Sequence, residues 1–171
     1  MSETSRRRLA ALQESLLRSL TGTGPPPEEV DPERLELAAT SLAVKRARSV
    51  ALAWPGLAEA LGPRFSEEFA AFAAVTTLPA LGGPLADGMA FARWLLRRGP
   101  LPAPARLDHL VVSLRYDSRP EGLVPRRGPA LKWAWIDPPG RFVVAARWWP
   151  GREAWLRLPM PFLSSAKAKD V

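Results

Sequence analysis

The spacing of apolar positions changes character near residue 107. Before it, large apolar residues recur every three or four positions, and after it they alternate with polar ones. Leu9, Leu12, Leu16 and Leu20 follow Ser5-Arg6-Arg7-Arg8 and define one face of a helix ending near Gly22. Thr21 to Pro27 is a breaker cluster. Asp31 as N-cap, Pro32 in the first helical position and Glu33 in the first turn then start a second helix, running to about Val50. Leu35, Ala38, Leu42 and Val50 are its core candidates, while Lys45, Arg46 and Arg48 are expected to face solvent or a partner. Trp54-Pro55-Gly56 interrupts the pattern, and Leu57 to Leu61 form a short apolar turn or helix closed by Gly62-Pro63. Ser66 is the expected cap of the next helix, in which Phe69, Phe72 and Val75 share a face and Ala70, Ala71, Ala73 and Ala74 permit close packing. Pro79 and Gly82-Gly83-Pro84 end it. Leu85, Met89, Ala92 and Leu96 continue the helical period until Gly99 and Pro100.

Leu101 to Arg106 read as a connection. Leu110, Val112, Leu114 and Tyr116 alternate with their neighbours and predict a strand, followed by a loop holding Gly122, Pro125, Gly128 and Pro129. Leu131, Trp133 and Trp135 alternate with Lys132 and Ala134 up to the turn Asp137-Pro138-Pro139-Gly140. Phe142, Val144, Ala146 and Trp148 form the next strand, and Ala154 to Leu158 a last short one after Pro150-Gly151. The expected fold class is therefore α+β. A helical bundle over residues 1–106 precedes a small three- or four-stranded antiparallel sheet over 107–163, and a flexible tail, with Lys167 and Lys169, covers 164–171.

With 171 residues, 47% of them hydrophobic, the chain is long enough to bury a core. Neither a signal-like apolar run nor a stretch near the roughly 20 apolar residues of a membrane span occurs, so a cytoplasmic protein off the membrane is expected. There is no cysteine and one histidine, His109, which argues against a metal centre or cofactor held by this chain and against a cysteine nucleophile. No nucleophile elbow surrounds a serine, and no glycine-rich phosphate loop follows a strand. The chain reads as a binding protein without a catalytic residue rather than as an enzyme.

The net charge of +7 is unevenly spread. Through Asp108 there are 13 Lys/Arg against 12 Asp/Glu, and from His109 onward 11 against 5. The same C-terminal third holds Trp133, Trp135, Trp148 and Trp149, interleaved with Lys132, Arg141 and Arg147. A sheet so small leaves a face and its edges open, and an open edge accepts an extended peptide as an added strand. Lys132, Trp133, Trp135, Arg147, Trp148 and Arg157 are accordingly the candidate peptide-binding residues. A nucleic-acid-binding module using the same basic aromatic sheet is the alternative. It is disfavoured because the chain has no Asn and a single Gln, Gln13, for reading bases.

Between Lys45 and Leu101 the order Lys45-Arg46-x-Arg48, Trp54-Pro55-x-Leu57, Leu61-Gly62-x-x-Phe65, Phe69, Pro79, Gly83, Asp87-Gly88-x-x-Phe91-x-x-Trp94-Leu95 and Leu101-Pro102 resembles the helical domain of partner subunits of multinuclear non-haem iron-dependent oxidative enzymes. That family has historically been labelled a DNA-binding domain. The resemblance implies a heterodimer with the iron enzyme, to which the subunit presents a ribosomally made precursor peptide whose leader pairs with the C-terminal β-region. The iron would then lie in the enzyme and not in this chain. Trp54, Pro55, Arg64 and Phe65, placed in breaks between helices, are the expected enzyme-facing residues.

Overall fold

The structure, a computed structural model, describes residues 3–20, 24–25, 30–136 and 140–159. Its elements are helices α1 (Glu3–Leu20), α2 (Pro32–Ala53), α3 (Pro55–Leu61), α4 (Phe65–Ala73), α5 (Gly83–Leu96) and α6 (Ala103–Arg115), then strands β1 (Tyr116–Arg119), β2 (Gly122–Pro125), β3 (Ala130–Ile136), β4 (Arg141–Trp149) and β5 (Arg152–Pro159). A single 3-10 turn, Gly62–Arg64, joins α3 to α4. The α+β class expected from the sequence is the one observed. The strands form a β1-β2 hairpin and a separate antiparallel sheet in the order β3-β4-β5.

The start of α2 follows its sequence signal: the Asp31 side chain accepts a hydrogen bond from the Glu33 N–H, with Pro32 in the first turn. The helical core is built where α2, α3, α4 and α5 meet. Val50, Trp54, Leu57, Phe69, Phe72 and Phe91 are its most deeply buried members. Phe69 lies edge-on to Phe72 and Phe91, with ring centroids 5.4 and 5.1 Å apart. Arg46, expected at the surface, is buried instead. Its Nε and Nη2 donate to the two Asp87 oxygens at 3.0 and 2.9 Å, and the guanidinium also lies over the Phe69 and Phe72 rings. Desolvation forbids an unpaired charge there, so the bidentate geometry is what allows α2 and α5 to pack through charged residues.

Other expectations need correction. The α4 helix begins at Phe65, one residue before Ser66, which makes no cap, and Val75 lies beyond the helix and is exposed. Residues 109–115, expected as a strand, are helical. Helix α6 is the middle layer of the molecule. Ala105 and Val112 belong to the helical core on one side, and Leu110 and Leu114 join Ile136, Val143 and Ala145 in a second core under the sheet on the other. A helix buried on two sides carries apolar residues at 103, 105, 107, 110, 112 and 114, which mimics strand alternation. The boundary placed at residue 106 therefore falls inside α6. The segment expected as a loop around Gly122 is the β1-β2 hairpin, held against the α4–α5 connection by Leu81 N–H to Glu121 carbonyl (2.9 Å) and Leu123 N–H to Leu81 carbonyl (3.2 Å). The expected tail at 164–171 lies outside the described residues, as does the turn at 137–139.

Candidate functional site

β3 is an edge strand, and beside it runs a groove of about 580 Å³ whose far wall is α5, α6 and β1. Arg93 and Leu96 come from α5, Arg106, His109 and Ser113 from α6, Tyr116 and Ser118 from β1, and Lys132, Trp133 and Ala134 from β3 itself. Arg126 and the apolar Met89, Leu101 and Leu110 complete the lining, which contains no carboxylate. Arg93 donates to the Ser118 hydroxyl at 2.7 Å, and neither Arg93 nor Lys132 has a carboxylate partner among the described residues. Arg126 is paired with Asp117 at 2.7 Å, while its buried Nε has no acceptor. The field of these cations registers on His109. Burial in the first place, then the nearby positive charges of Arg93 and Lys132, hold its imidazole below the ordinary histidine range.

The backbone of β3 is open toward this groove. Arg106 Nη1 donates to the Trp135 carbonyl at 2.7 Å. In an antiparallel pair, main-chain direction alternates with each residue, so every second residue of β3 turns its N–H and C=O away from β4. Arg106 occupies the Trp135 carbonyl near one end of β3, and among the described residues no strand other than β4 pairs with β3.

The pleat separates what the sequence had interleaved. Leu131, Trp133 and Trp135 lie on the outer face of the sheet in register with Ala146, Val144 and Phe142, which pair in turn with Ala154, Leu156 and Leu158. Arg152, at the start of β5, is the charged residue in alternation with them. Lys132, Arg147 and Arg157 lie on the inner face, toward α6, together with Trp155, whereas Trp133 and Trp135 lie on the outer one. Of the predicted peptide-binding residues, Lys132 and Trp133 line the groove, and Trp135 borders it through its carbonyl. Arg147 does not belong to it. It is 8% exposed, and its Nη1 donates to the Arg115 carbonyl at 2.9 Å, tying β4 to the end of α6. Arg157 is exposed on β5, the opposite edge, and Trp148 is exposed beside a bulge in β4.

The expected enzyme-facing residues divide similarly. Trp54 is fully buried, its indole N–H donating to the Leu85 carbonyl at 3.2 Å, and Phe65 is buried against Phe69 and Phe91. Only Pro55 and Arg64 of that set are exposed. Conversely, Arg93, Arg106, His109 and Arg126 were not singled out from the sequence as groove residues. They come from α5, α6 and the connection after β2 and share no motif, so their signal lies in the topology. Among the described residues no group of three His, Cys, Asp or Glu side chains is placed to share a metal ion, and no helix is long and apolar enough to cross a membrane.

Residues 10–97 match a family model described as SCO6045-like, C-terminal domain. A UPF0276 protein of Streptomyces avermitilis is 39% identical over 106 residues, which cover 61% of this chain and 21% of the relative. The chain spans about a fifth of that relative's length. No solved structure matches.

Proposed function

The chain belongs to the family of SCO6045-like C-terminal domains, and from that premise we propose that it is a non-catalytic partner subunit that holds a ribosomally made precursor peptide for an iron-dependent oxidative enzyme. The observation that carries this reading is the open β3 edge, which runs beside a basic groove that Lys132, Trp133 and Ala134 help to line. An extended peptide laid there gains a ladder of backbone hydrogen bonds whatever its side chains, while the walls select among sequences. Such a surface suits holding and presenting a chain that another protein modifies. The relative in which the matched segment is a fifth of a longer chain supports the same picture, because this type of domain then works joined to further protein. The iron is assigned to the enzyme, since a subunit with one histidine and no cysteine offers few of the ligands iron prefers.

The test is to look beside its gene for those of an iron-dependent enzyme and a short peptide and to express the three together. A one-to-one complex is expected, with iron only when the enzyme is present. The peptide's leader should bind the subunit, and should lose most of its affinity when alternate backbone nitrogens of the leader are methylated, which deletes donors to the edge. If random duplex DNA binds more tightly than the leader at physiological salt, and methylation changes nothing, the groove is a nucleic-acid site and the adaptor reading falls.

A further inference from the structure

We infer that the segment recognised along β3 is an amphipathic strand with acidic and apolar residues in alternation, its acidic side chains directed between β3 and α5/α6 and its apolar ones beside Trp133 and Leu131. This rests on the reading of β3 as a peptide-binding edge and adds the chemical class of the peptide.

The argument begins with the pleat. A strand added to β3 places each side chain on the same face as the β3 residue opposite it. Residues opposite Leu131, Trp133 or Trp135 must join the outer face, and those opposite Lys132 or Ala134 must enter the groove. The two environments are chemically opposed. Across β3, β4 and β5 the outer face is Leu131, Trp133, Trp135, Phe142, Val144, Ala146, Ala154, Leu156 and Leu158, with Arg152 at the start of β5, away from β3, as its charged member. Trp133 is 64% exposed and Leu131 58% exposed, so apolar area waits at that edge for a covering side chain. The groove side has Arg93, Arg106, Arg126 and Lys132 in its lining and no acid, with Asp117 alongside Arg126 as the nearby carboxylate. Among the described residues Arg93 and Lys132 have no carboxylate partner, and both line the same groove as His109, whose imidazole is held below its ordinary range by burial first and by these two charges after it. A carboxylate delivered there supplies the missing counter-charge, whereas an ammonium meets like charges in a partly dehydrated cleft.

Length sets the extent. Leu131 to Trp135 span about 17 Å at roughly 3.4 Å per residue, so about five peptide residues are read, two or three on each side. Because strand period is two, sliding the peptide by one residue would exchange its acidic and apolar sets and lose both matches, so the alternation also fixes register.

The experiment titrates the full chain with three capped nonapeptides: one alternating Glu and Val, a block isomer with the same residues grouped, and one alternating Lys and Val. The Glu/Val alternating peptide should bind at least tenfold more tightly than the other two. An Arg93→Glu/Lys132→Glu variant, checked for native circular dichroism, should invert the order so that the Lys/Val peptide binds best. Lys132→Ala alone, at a half-exposed site, should narrow the gap between the Glu and Lys peptides and guards against a double variant that fails to fold. Equal binding of the alternating and block peptides, or an unchanged order in the variants, overturns the inference. In that case, binding that is still lost on methylation of peptide nitrogens leaves β3 as a strand-accepting edge. If none of the peptides binds, that edge and the inference fall together.

Discussion

Gly88 has no space for a side chain. A Cβ there would stand 2.2 Å from Trp54 Nε1 and 2.3 Å from Trp54 Cδ1, so the α5 backbone and the Trp54 indole are in direct contact. Gly88→Ala is therefore expected to cost about 3 kcal/mol through overpacking in a site that cannot relax, lowering the thermal midpoint by roughly 6–10 °C. Asp87, one residue earlier, holds the buried Arg46 guanidinium. Asp87→Ala should cost about 3–5 kcal/mol by leaving that cation unpaired, and Arg46→Met in the same chain should restore much of the loss. A double variant no more stable than Asp87→Ala would mean that the pair's geometry, not its uncompensated charge, sets the cost. These residues also explain what the Trp54-Pro55 and Asp87-Gly88 signatures record. They are the points at which α2, α3 and α5 interlock, so they identify a fold. Trp54 and Phe65 are buried rather than enzyme-facing for this reason: the large aromatic rings in a break between helices fill the space the break opens.

At the scale of elements, the parts legible in the sequence are those decided locally. The α2 start needs Asp31, Pro32 and Glu33, and the β3-β4-β5 meander needs alternation and short connections. Helix α6 was misread because its pattern is decided by two distant layers, and period alone does not distinguish a strand from a helix buried on both sides. The groove was illegible for a related reason, since Arg93, Arg106 and Lys132 meet only after α6 has been placed correctly. What joins α6 to the sheet's far strand is testable. Arg115 Nε and Nη2 donate to the two Glu153 oxygens at 2.9 Å each, and this interaction chiefly holds the Glu153 carboxyl below its ordinary value of 4.5. The folded state then binds that proton more weakly than the unfolded chain. Its stabilisation is complete above the ordinary value and is lost as pH falls through the depressed one. Glu153→Gln should cost about 1 kcal/mol at neutral pH, since Arg115 is half exposed, and should give a shallower acid limb in denaturant titrations. An acid limb as steep as in the unsubstituted protein would remove Glu153 from the pH response.

At the scale of the whole molecule, charge and apolar surface are sorted onto opposite sides of one sheet. The sorting follows from α6, which covers the inner face and leaves room for long cationic side chains at its margin, while nothing among the described residues covers the outer face. Leu131, Trp133, Leu156 and Leu158 are between 40% and 64% exposed, and with their neighbours they make an apolar surface continuous across three strands. Isolated proteins seldom keep an apolar patch of more than a few hundred Å² unless something docks on it. The folded chain alone should therefore bind a hydrophobic dye such as ANS and associate with itself as concentration rises. Leu156→Lys with Leu158→Glu tests this on β5, across the sheet from the β3 groove, where the substitutions leave peptide binding unaffected. Dye binding and self-association should both fall, while stability changes by no more than about 1 kcal/mol, because each site is a surface position. If the outer face carries no such property, dye binding and sedimentation will be the same for the variant and the unsubstituted chain. The self-association would then belong to another surface, with exposed Leu9, Leu12 and Leu17 of α1 the next to substitute.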